Sequence, residues 1–473
     1  MDKPNILLIT SDQHRGDALG VNGHPCVQTP HLDALAFAGA NFANAYSTCP
    51  ICMPARTSII TGQDAVGFGC PGNRPGFCID YPRERMLGGC LRDAGYQTEL
   101  IGKTHFLTDP SDRVGFDHIT SDYHLKKCLL MEHGQTNDGN GMGANEVSTS
   151  TERLPEELNE THWCTEACLD FLETRDQTQP FFLWASYTAP HPPITAIEPY
   201  YSMYDNDAIP EPIIPDWMDD ERAPLLEYDI RYRTNPLPMR EAELRKVRSV
   251  YYGKITYMDH QIGRILGRLG EKDLLDNTLI IYTSDHGEKL GDFGSFWKAT
   301  HLEPSCRVPL LVKWPKDMDF APGQTPDALV CLQDLLPTCV AFAGGVFPDD
   351  ISGQTLAPLL DGAAGRDALW GNFNNNAYML RTRTHKYLYY CADGAELVFN
   401  MQNDPREEHD LSGDRPLTDG LRHQLLELLR ERGDPNLRNG ALPNHGKTKP
   451  AKANLRANHL KWQGLRRAGR GTG

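Results

Sequence analysis

The chain has 473 residues, 40% of them hydrophobic and 23% charged, with a formal net charge of −16. That length fits one large α/β domain with a smaller companion. No apolar stretch is long enough to span a bilayer, and the acidic balance argues against general nucleic-acid binding. The 13 cysteines are odd in number and scattered, which argues against a disulfide framework in a chain this large. Most are expected as small buried hydrophobes.

Met1-Asp2-Lys3-Pro4 leads directly into an apolar strand, Asn5 to Thr10. That run is too short for a secretory h-region and carries no small-residue cleavage site, so a cytoplasmic location and no membrane partner are expected. The strand ends in Ser11-Asp12-Gln13-His14. Thr29-Pro30 reads as the N-cap and first residue of a helix through Leu32, Leu35 and Ala36. Next comes Cys49-Pro50-Ile51-Cys52, followed by a short helix, Ala55 to Thr61, closed by Gly62. A helix near Met86 to Ala94 stops at Gly95, and a strand from Gln97 to Ile101 opens into Gly102-Lys103-Thr104-His105. The polar, glycine-rich stretch from about Ser121 to Glu157 reads as an excursion from the sheet.

A strand from Pro180 to Tyr187 arrives at Ala189-Pro190-His191-Pro192. Glu198 to Pro238, rich in proline, acids and aromatics, is a second excursion that shapes substrate choice, decorates the surface or contacts another subunit. An amphipathic helix covers about Glu241 to Leu269, with Leu244, Val247, Tyr251, Met258, Ile262 and Leu266 on one face. A strand from Asn277 to Thr283 ends at Ser284-Asp285-His286-Gly287. After Val308 to Val312 and a helix near Leu332 to Phe342, composition shifts around Gly362 to Arg366. Beyond it, strands over Tyr378 to Tyr390 and Glu396 to Asn400 and a helix over Leu421 to Arg432 suggest a small α+β domain. The expected division is a catalytic domain over 1–365, this small domain over 366–435 and a basic tail over 436–473. No acidic residue follows Asp434, whereas nine Lys and Arg lie between Arg438 and Arg470. The tail reads as a disordered extension or as an arm packing on an acidic neighbouring subunit, so a homo-oligomer is allowed.

Alternating strands and helices predict a large, mostly parallel α/β sheet flanked by helices. In such folds ligands bind outside the carboxyl ends of the strands. Asp12, Lys103, His105, His191, Asp285 and His286 all fall at such ends, which singles them out together.

Cys52-Met53-Pro54-Ala55-Arg56, followed by Thr61-Gly62, has the form C-x-P-x-R…T-G and resembles the signature of the type I, formylglycine-dependent sulfatases of the alkaline-phosphatase-like superfamily. Gly102-Lys103-Thr104-His105 is similar to the G-K-x-H motif of that family, His191 to its leaving-group histidine and Lys298 to the lysine after its Asp-His-Gly segment. Arg381 to Tyr387 and Asp404 to Glu408 resemble its small C-terminal domain. The resemblance implies that Cys52 is converted to formylglycine by a formylglycine-generating enzyme. It also implies a divalent metal held by Asp12, Cys52 in its modified form, Asp285 and His286, with calcium the first expectation and manganese, magnesium or zinc open. Family members usually place two adjacent acids at the first strand end. Here Asp12 is followed by Gln13, as in choline-sulfatase-like and phosphonate-hydrolase-like branches, which argues against a four-carboxylate cage.

The mechanism so implied is covalent. A hydrate oxygen at position 52, activated by Asp285, attacks sulfur, and Arg56, Lys103, Lys298 and the metal stabilise charge on the transferring group. His191 protonates the leaving oxygen. His105 deprotonates the second hydroxyl, which collapses to the aldehyde and expels sulfate. The expected substrate is a sulfated small molecule or sugar fragment. Three other readings stay open: a phosphonate monoester or phosphodiester hydrolase on the same scaffold, a catalytically silent binding protein, and a redox or zinc role for the Cys49/Cys52 pair. A zinc site would need a second such pair, and the chain has none of similar spacing.

Overall fold

Asn5–Asp12, the first strand (β1), is buried at all eight positions, as a central parallel strand covered on both faces must be. The structure, a computed structural model, describes residues 3–450 except 75, 78, 107–111, 123, 124, 126–141, 205–207 and 235–238. The main sheet continues with β2 (Ala40–Asn41), β3 (Gln97–Gly102), β4 (His118–Ser121), β5 (Phe181–Pro190), β6 (Thr278–Ser284) and β7 (Leu310–Lys313). Its strand order is β2-β7-β6-β1-β5-β3-β4. The run from β6 to β4 is parallel throughout, and only β7 runs antiparallel to its neighbours. The mostly parallel α/β sheet expected from the sequence is therefore present.

Alternation along β1 divides the core. Ile6 and Leu8 pack with Phe182, Trp184, Leu279 and Ile281 on one face, covered by α2 (Cys52–Thr61), α3 (Leu87–Asp93) and the helix at Leu335–Phe342. Leu7 and Ile9 pack with Leu183, Ile280 and Tyr282 on the other. There the cover is α1 (Pro30–Ala38), α4 (Glu160–Thr174) and α5, the long helix Glu241–Glu271. Three local expectations change. Thr29 does not cap α1 with its side chain. Instead it takes the Gly20 N–H and donates to Asp33, while Asp259 of α5 accepts the first-turn N–H groups of His31 and Leu32 at 3.2 and 2.8 Å. The stretch 378–390 is a hairpin, Ala377–Thr382 and His385–Tyr390, because the polar Arg383-Thr384 pair forms a turn. The final helix begins earlier, at Arg415, where the Asp414 carboxylate accepts the Leu417 N–H.

These C-terminal elements form a four-stranded antiparallel meander from Ala368 to Asn400, with Leu421, Leu425 and Leu429 of the last helix packed on one face. Met379, Leu388 and Phe399 on the other face meet Tyr46, Trp217, Phe293 and Leu302 of the main body. Lys386 is buried against Glu303 and Glu407, at 3.0 and 2.7 Å. Past the last helix the chain folds back: Lys447 N–H donates to Ala392 O, and the Lys449 ammonium reaches the carbonyls of Asp220 and Glu221. The remainder of the basic tail and half of the glycine-rich stretch after Ser121 lie outside the described residues. Among the described residues, no helix is long and apolar enough to cross a membrane.

Candidate active site

Parallel register assembles the site. Ser11 pairs with Ser284, so Asp12 and Asp285 emerge side by side, and the Gln13 N–H donates to Asp285 Oδ1 at 3.2 Å. Thr10 and Gly102 both pair with Ser186, which brings Lys103 and the His191 turn to the same edge. Asp12, Asp285 and His286 have no exposed surface.

Cys52 opens α2 rather than preceding it, and all ten residues of that helix are buried. The Met53 N–H is taken by Asn73 Oδ1 at 3.0 Å, and the turn after the helix needs Gly62, at φ 68°. Cys52 Sγ lies 3.2 Å from His286 Nε2 and 3.9 Å from Asp12 Oδ1. His286 Nδ1 lies 3.0 Å from Gly287 O, a contact that places a proton on Nδ1 and turns Nε2 inward, toward Cys52 and Asp12, with its lone pair available to a metal. Burial opposes the Cys52 thiolate, yet Lys298, Lys103, His286 and a hydrogen bond from His105 together hold the thiol well below its ordinary range.

Arg56 faces both acids. Its Nε donates to Asp285 Oδ2 at 2.8 Å, its Nη1 to Ser186 Oγ at 2.7 Å and Lys103 O at 3.1 Å, and its Nη2 lies 3.9 Å from Asp12. That Nη2 is buried without a hydrogen-bond partner. Lys103 is ion-paired with Asp12. Burial works against charge on Asp12, but Lys103, His191 and His286 outweigh it and the carboxyl is lowered. Burial and the neighbouring Asp12 raise Asp285, and Asp285 and Cys52 raise His286 against its own burial.

On the opposite side Lys298 Nζ reaches Gln13 Oε1 and lies 2.9 Å from His191 Nε2. His191 Nδ1 lies 2.7 Å from Pro192 O, so it carries the proton and Nε2 accepts from the ammonium. Burial and Lys298 push this histidine down to about 4. His105 stands at the solvent-exposed mouth. Gln13, His105, Trp297 and Ala299 all have φ between 35° and 74°. Non-glycine residues seldom adopt that conformation, and it clusters where a scaffold forces side chains into a site.

The eight other residues singled out from the sequence thus gather around Cys52. Asp12, Cys52, Asp285 and His286 offer ligand atoms within 4.8 Å of one another, all buried. Two carboxylates and an inward imidazole nitrogen suit a divalent metal, and the compensating Arg56 and Lys103 show how much negative charge is concentrated there. Three supporting residues were missed. Ser186 follows the apolar run Phe181 to Ala185 in its strand. Glu288, two residues after His286, binds Gln13 Nε2 and accepts the Leu290 and Trp297 N–H groups at 2.8 and 2.6 Å. Lys254 of α5 hydrogen-bonds the His191 turn. A polar residue closing an apolar run could have flagged Ser186, whereas nothing local marks Lys254.

A doubly covered sheet with acids, histidine and a helix-borne cysteine at its strand ends defines a hydrolase of the alkaline-phosphatase-like class. Solved relatives agree: a phosphonate monoester hydrolase from Silicibacter pomeroyi superposes with a TM-score of 0.77 at 26% identity, over 94% of this chain and all of that one. The chain matches the sulfatase family model over residues 4–346 and that of the N-sulphoglucosamine sulphohydrolase C-terminal region over 291–433, and it belongs to the sulfatase family. An arylsulfatase of Clostridium perfringens is 32% identical over 91% of this chain and 94% of its own. An N-acetylglucosamine-6-O-sulfatase of Bacteroides thetaiotaomicron is 27% identical over 91% and 86%.

Proposed function

We propose that this protein hydrolyses a sulfate ester to an alcohol and inorganic sulfate, using formylglycine made from Cys52 and a divalent metal, calcium first, held by Asp12, Asp285, His286 and position 52. The observation that carries this reading is the placement of Cys52 against both kinds of charge: Asp12, Asp285 and His286 offer ligand atoms beside it, and Lys103, Lys298, His286 and His105 stabilise negative charge on it. In this structure Cys52 Sγ stands where the hydrate oxygens of the aldehyde would lie. The aldehyde supplies a nucleophile with a built-in exit, which an unmodified cysteine or serine lacks, and the metal supplies charge stabilisation and a lowered oxygen pKa.

The chain's own groups do the rest. The N-terminal amides of α2 favour negative charge at position 52. Arg56 holds Asp285 toward that position with a guanidinium fork that also fixes the Lys103 carbonyl. Lys103 and Lys298 present ammonium groups to the oxygens of the transferring group. His191 rests neutral, so the proton for the departing oxygen is held by Lys298 and shared with His191 Nε2. His105, at the open edge, is placed to take a proton from position 52.

The substrate follows less narrowly. A sulfated small molecule or sugar fragment is favoured, supported by the sulfated-sugar activity named for the Bacteroides relative. The partner that prepares the enzyme is a formylglycine-generating enzyme. A phosphonate monoester or phosphodiester hydrolase is the second reading, favoured by the likeness to the Silicibacter enzyme. The test is the mass of the Cys52 peptide after coexpression with a formylglycine-generating enzyme, followed by sulfate release from nitrophenyl sulfate and sulfated glucosamine. An unmodified Cys52, or faster turnover of a phenyl phosphonate ester, would overturn the sulfate reading.

A further inference from the structure

Helix α5 does more than cover the sheet. At three-residue spacing along it, Arg248, Tyr251 and Lys254 each grip the backbone of a loop that serves the site. Arg248 Nη1 donates to Leu290 O at 2.8 Å, in the segment that presents Lys298. Tyr251 Oη donates to Gln13 O at 2.6 Å, just past Asp12. Lys254 Nζ donates to His191 O at 2.7 Å and to Pro193 O at 2.8 Å. Residues three apart lie on neighbouring turns of one helix face, so a single rigid element sets the spacing of three strand-end loops.

The Lys254 contact is the most direct. The His191 imidazole is tied to the carbonyl of Pro192, the peptide unit that lies between the two whose carbonyls Lys254 holds, so the ring is anchored inside the gripped turn. An ammonium donating to two carbonyls makes charge-assisted hydrogen bonds, stronger than neutral ones. Proton transfer depends on heavy-atom approach within hydrogen-bond range, and small misplacements are costly. We propose that Lys254 is a positioning residue for the leaving-group half of the reaction: its grip on the carbonyls of His191 and Pro193 holds His191 Nε2 against Lys298 where the departing oxygen must be protonated. This rests on the ester-hydrolase reading above and extends it to a residue that touches no substrate.

The test uses metal-loaded, formylglycine-bearing enzyme and aryl esters graded from good (nitrophenyl) to poor (phenyl, alkyl) leaving groups. Lys254→Met should lower kcat/KM on poor leaving groups by roughly tenfold or more, a fraction of what general acids contribute, while nitrophenyl ester turnover changes by less than about threefold. Lys254→Arg, which still donates to two carbonyls, should restore most of the loss. A uniform loss across the series, or none, overturns the proposal. Should Lys254→Met fail to fold, Lys254→Gln carries the same comparison. If sulfate esters are not turned over by the parent enzyme, the sulfate reading fails by itself, and the same series run as phosphonate esters still decides the role of Lys254. An imidazole nitrogen NMR signal for His191 gives an answer without turnover: Lys254→Met should shift or broaden it, and an unchanged signal overturns the proposal.

Discussion

Replacing Arg56 by methionine removes a fully buried cation from between two fully buried carboxylates. The guanidinium donates at 2.8 Å to Asp285 and lies 3.9 Å from Asp12, so its loss leaves the pair with Lys103 and the His286 imidazole alone beside it. Stripping one partner from a buried ion pair costs about 3–5 kcal/mol. The hydrogen bond lost at Ser186 adds little, because Ser186 Oγ still donates to Lys103 O at 2.6 Å. Arg56→Lys keeps the charge but gives up the fork, so its cost should fall about one charged hydrogen bond short of intact, roughly 1.5–3 kcal/mol. Urea unfolding in the presence of a chelator should therefore rank parent above Arg56→Lys above Arg56→Met. Adding a divalent metal should narrow the gap, because a cation among carboxylates that have lost Arg56 is held more tightly than in the parent and so stabilises the variant more. If Arg56→Met lies within about 1 kcal/mol of the parent in chelator, below the range for a broken buried pair, the guanidinium does not hold the acids and the electrostatic account is wrong.

Chelation followed by gel filtration should abolish ester hydrolysis and a divalent cation should restore it; full activity in the metal-stripped protein would remove the metal from the reading. Gly102→Ala should destabilise by about 1–3 kcal/mol and depress turnover, because φ is 101° there and a Cβ would come within 2.1 Å of Ser186 O, displacing Lys103; a melting temperature equal to the parent's would contradict that. Burial lifts the Glu407 carboxyl to about 7, so between its ordinary value and about 7 the folded state keeps a proton that the unfolded chain releases. Its contribution is full at lower pH and is lost as pH rises through that window. Glu407→Gln should flatten the decline in melting temperature across this range, and an unchanged slope would refute the assignment.

The site was legible because its chemistry sits at chain positions that strand ends expose: each of Asp12, Lys103, His191 and Asp285 follows an apolar run. The sheet was legible for the same reason, since Asn5–Asp12 and Thr278–Ser284 are apolar on both faces. What escaped were contacts between residues distant in sequence. Thr29 looks like a cap by local rule, but Asp259, 228 residues beyond His31, does the work. Lys254 reaches its carbonyls across 63 and 61 residues, and a lysine in mid-helix announces nothing. The hairpin at 378–390 was hidden because Arg383-Thr384 lacks the glycine or asparagine that usually marks such a turn.

The C-terminal meander is wired to the loops around the nucleophile. Asn372 N–H donates to Thr48 O at 3.1 Å and Asn374 N–H to Pro71 O at 2.6 Å, and a side chain at Gly371 would come within 2.5 Å of that Thr48 carbonyl. Thr48 lies four residues before Cys52, and Pro71 two before the asparagine that receives the Met53 amide. Trimming the protein to its larger half would therefore bare these carbonyls, uncouple Glu303 from Lys386 and loosen the ground on which Cys52 stands. For anyone shortening the enzyme, recombining it with a relative or fusing cargo to it, the small sheet behaves as a foundation stone rather than an appendix, and crossover points belong outside both halves.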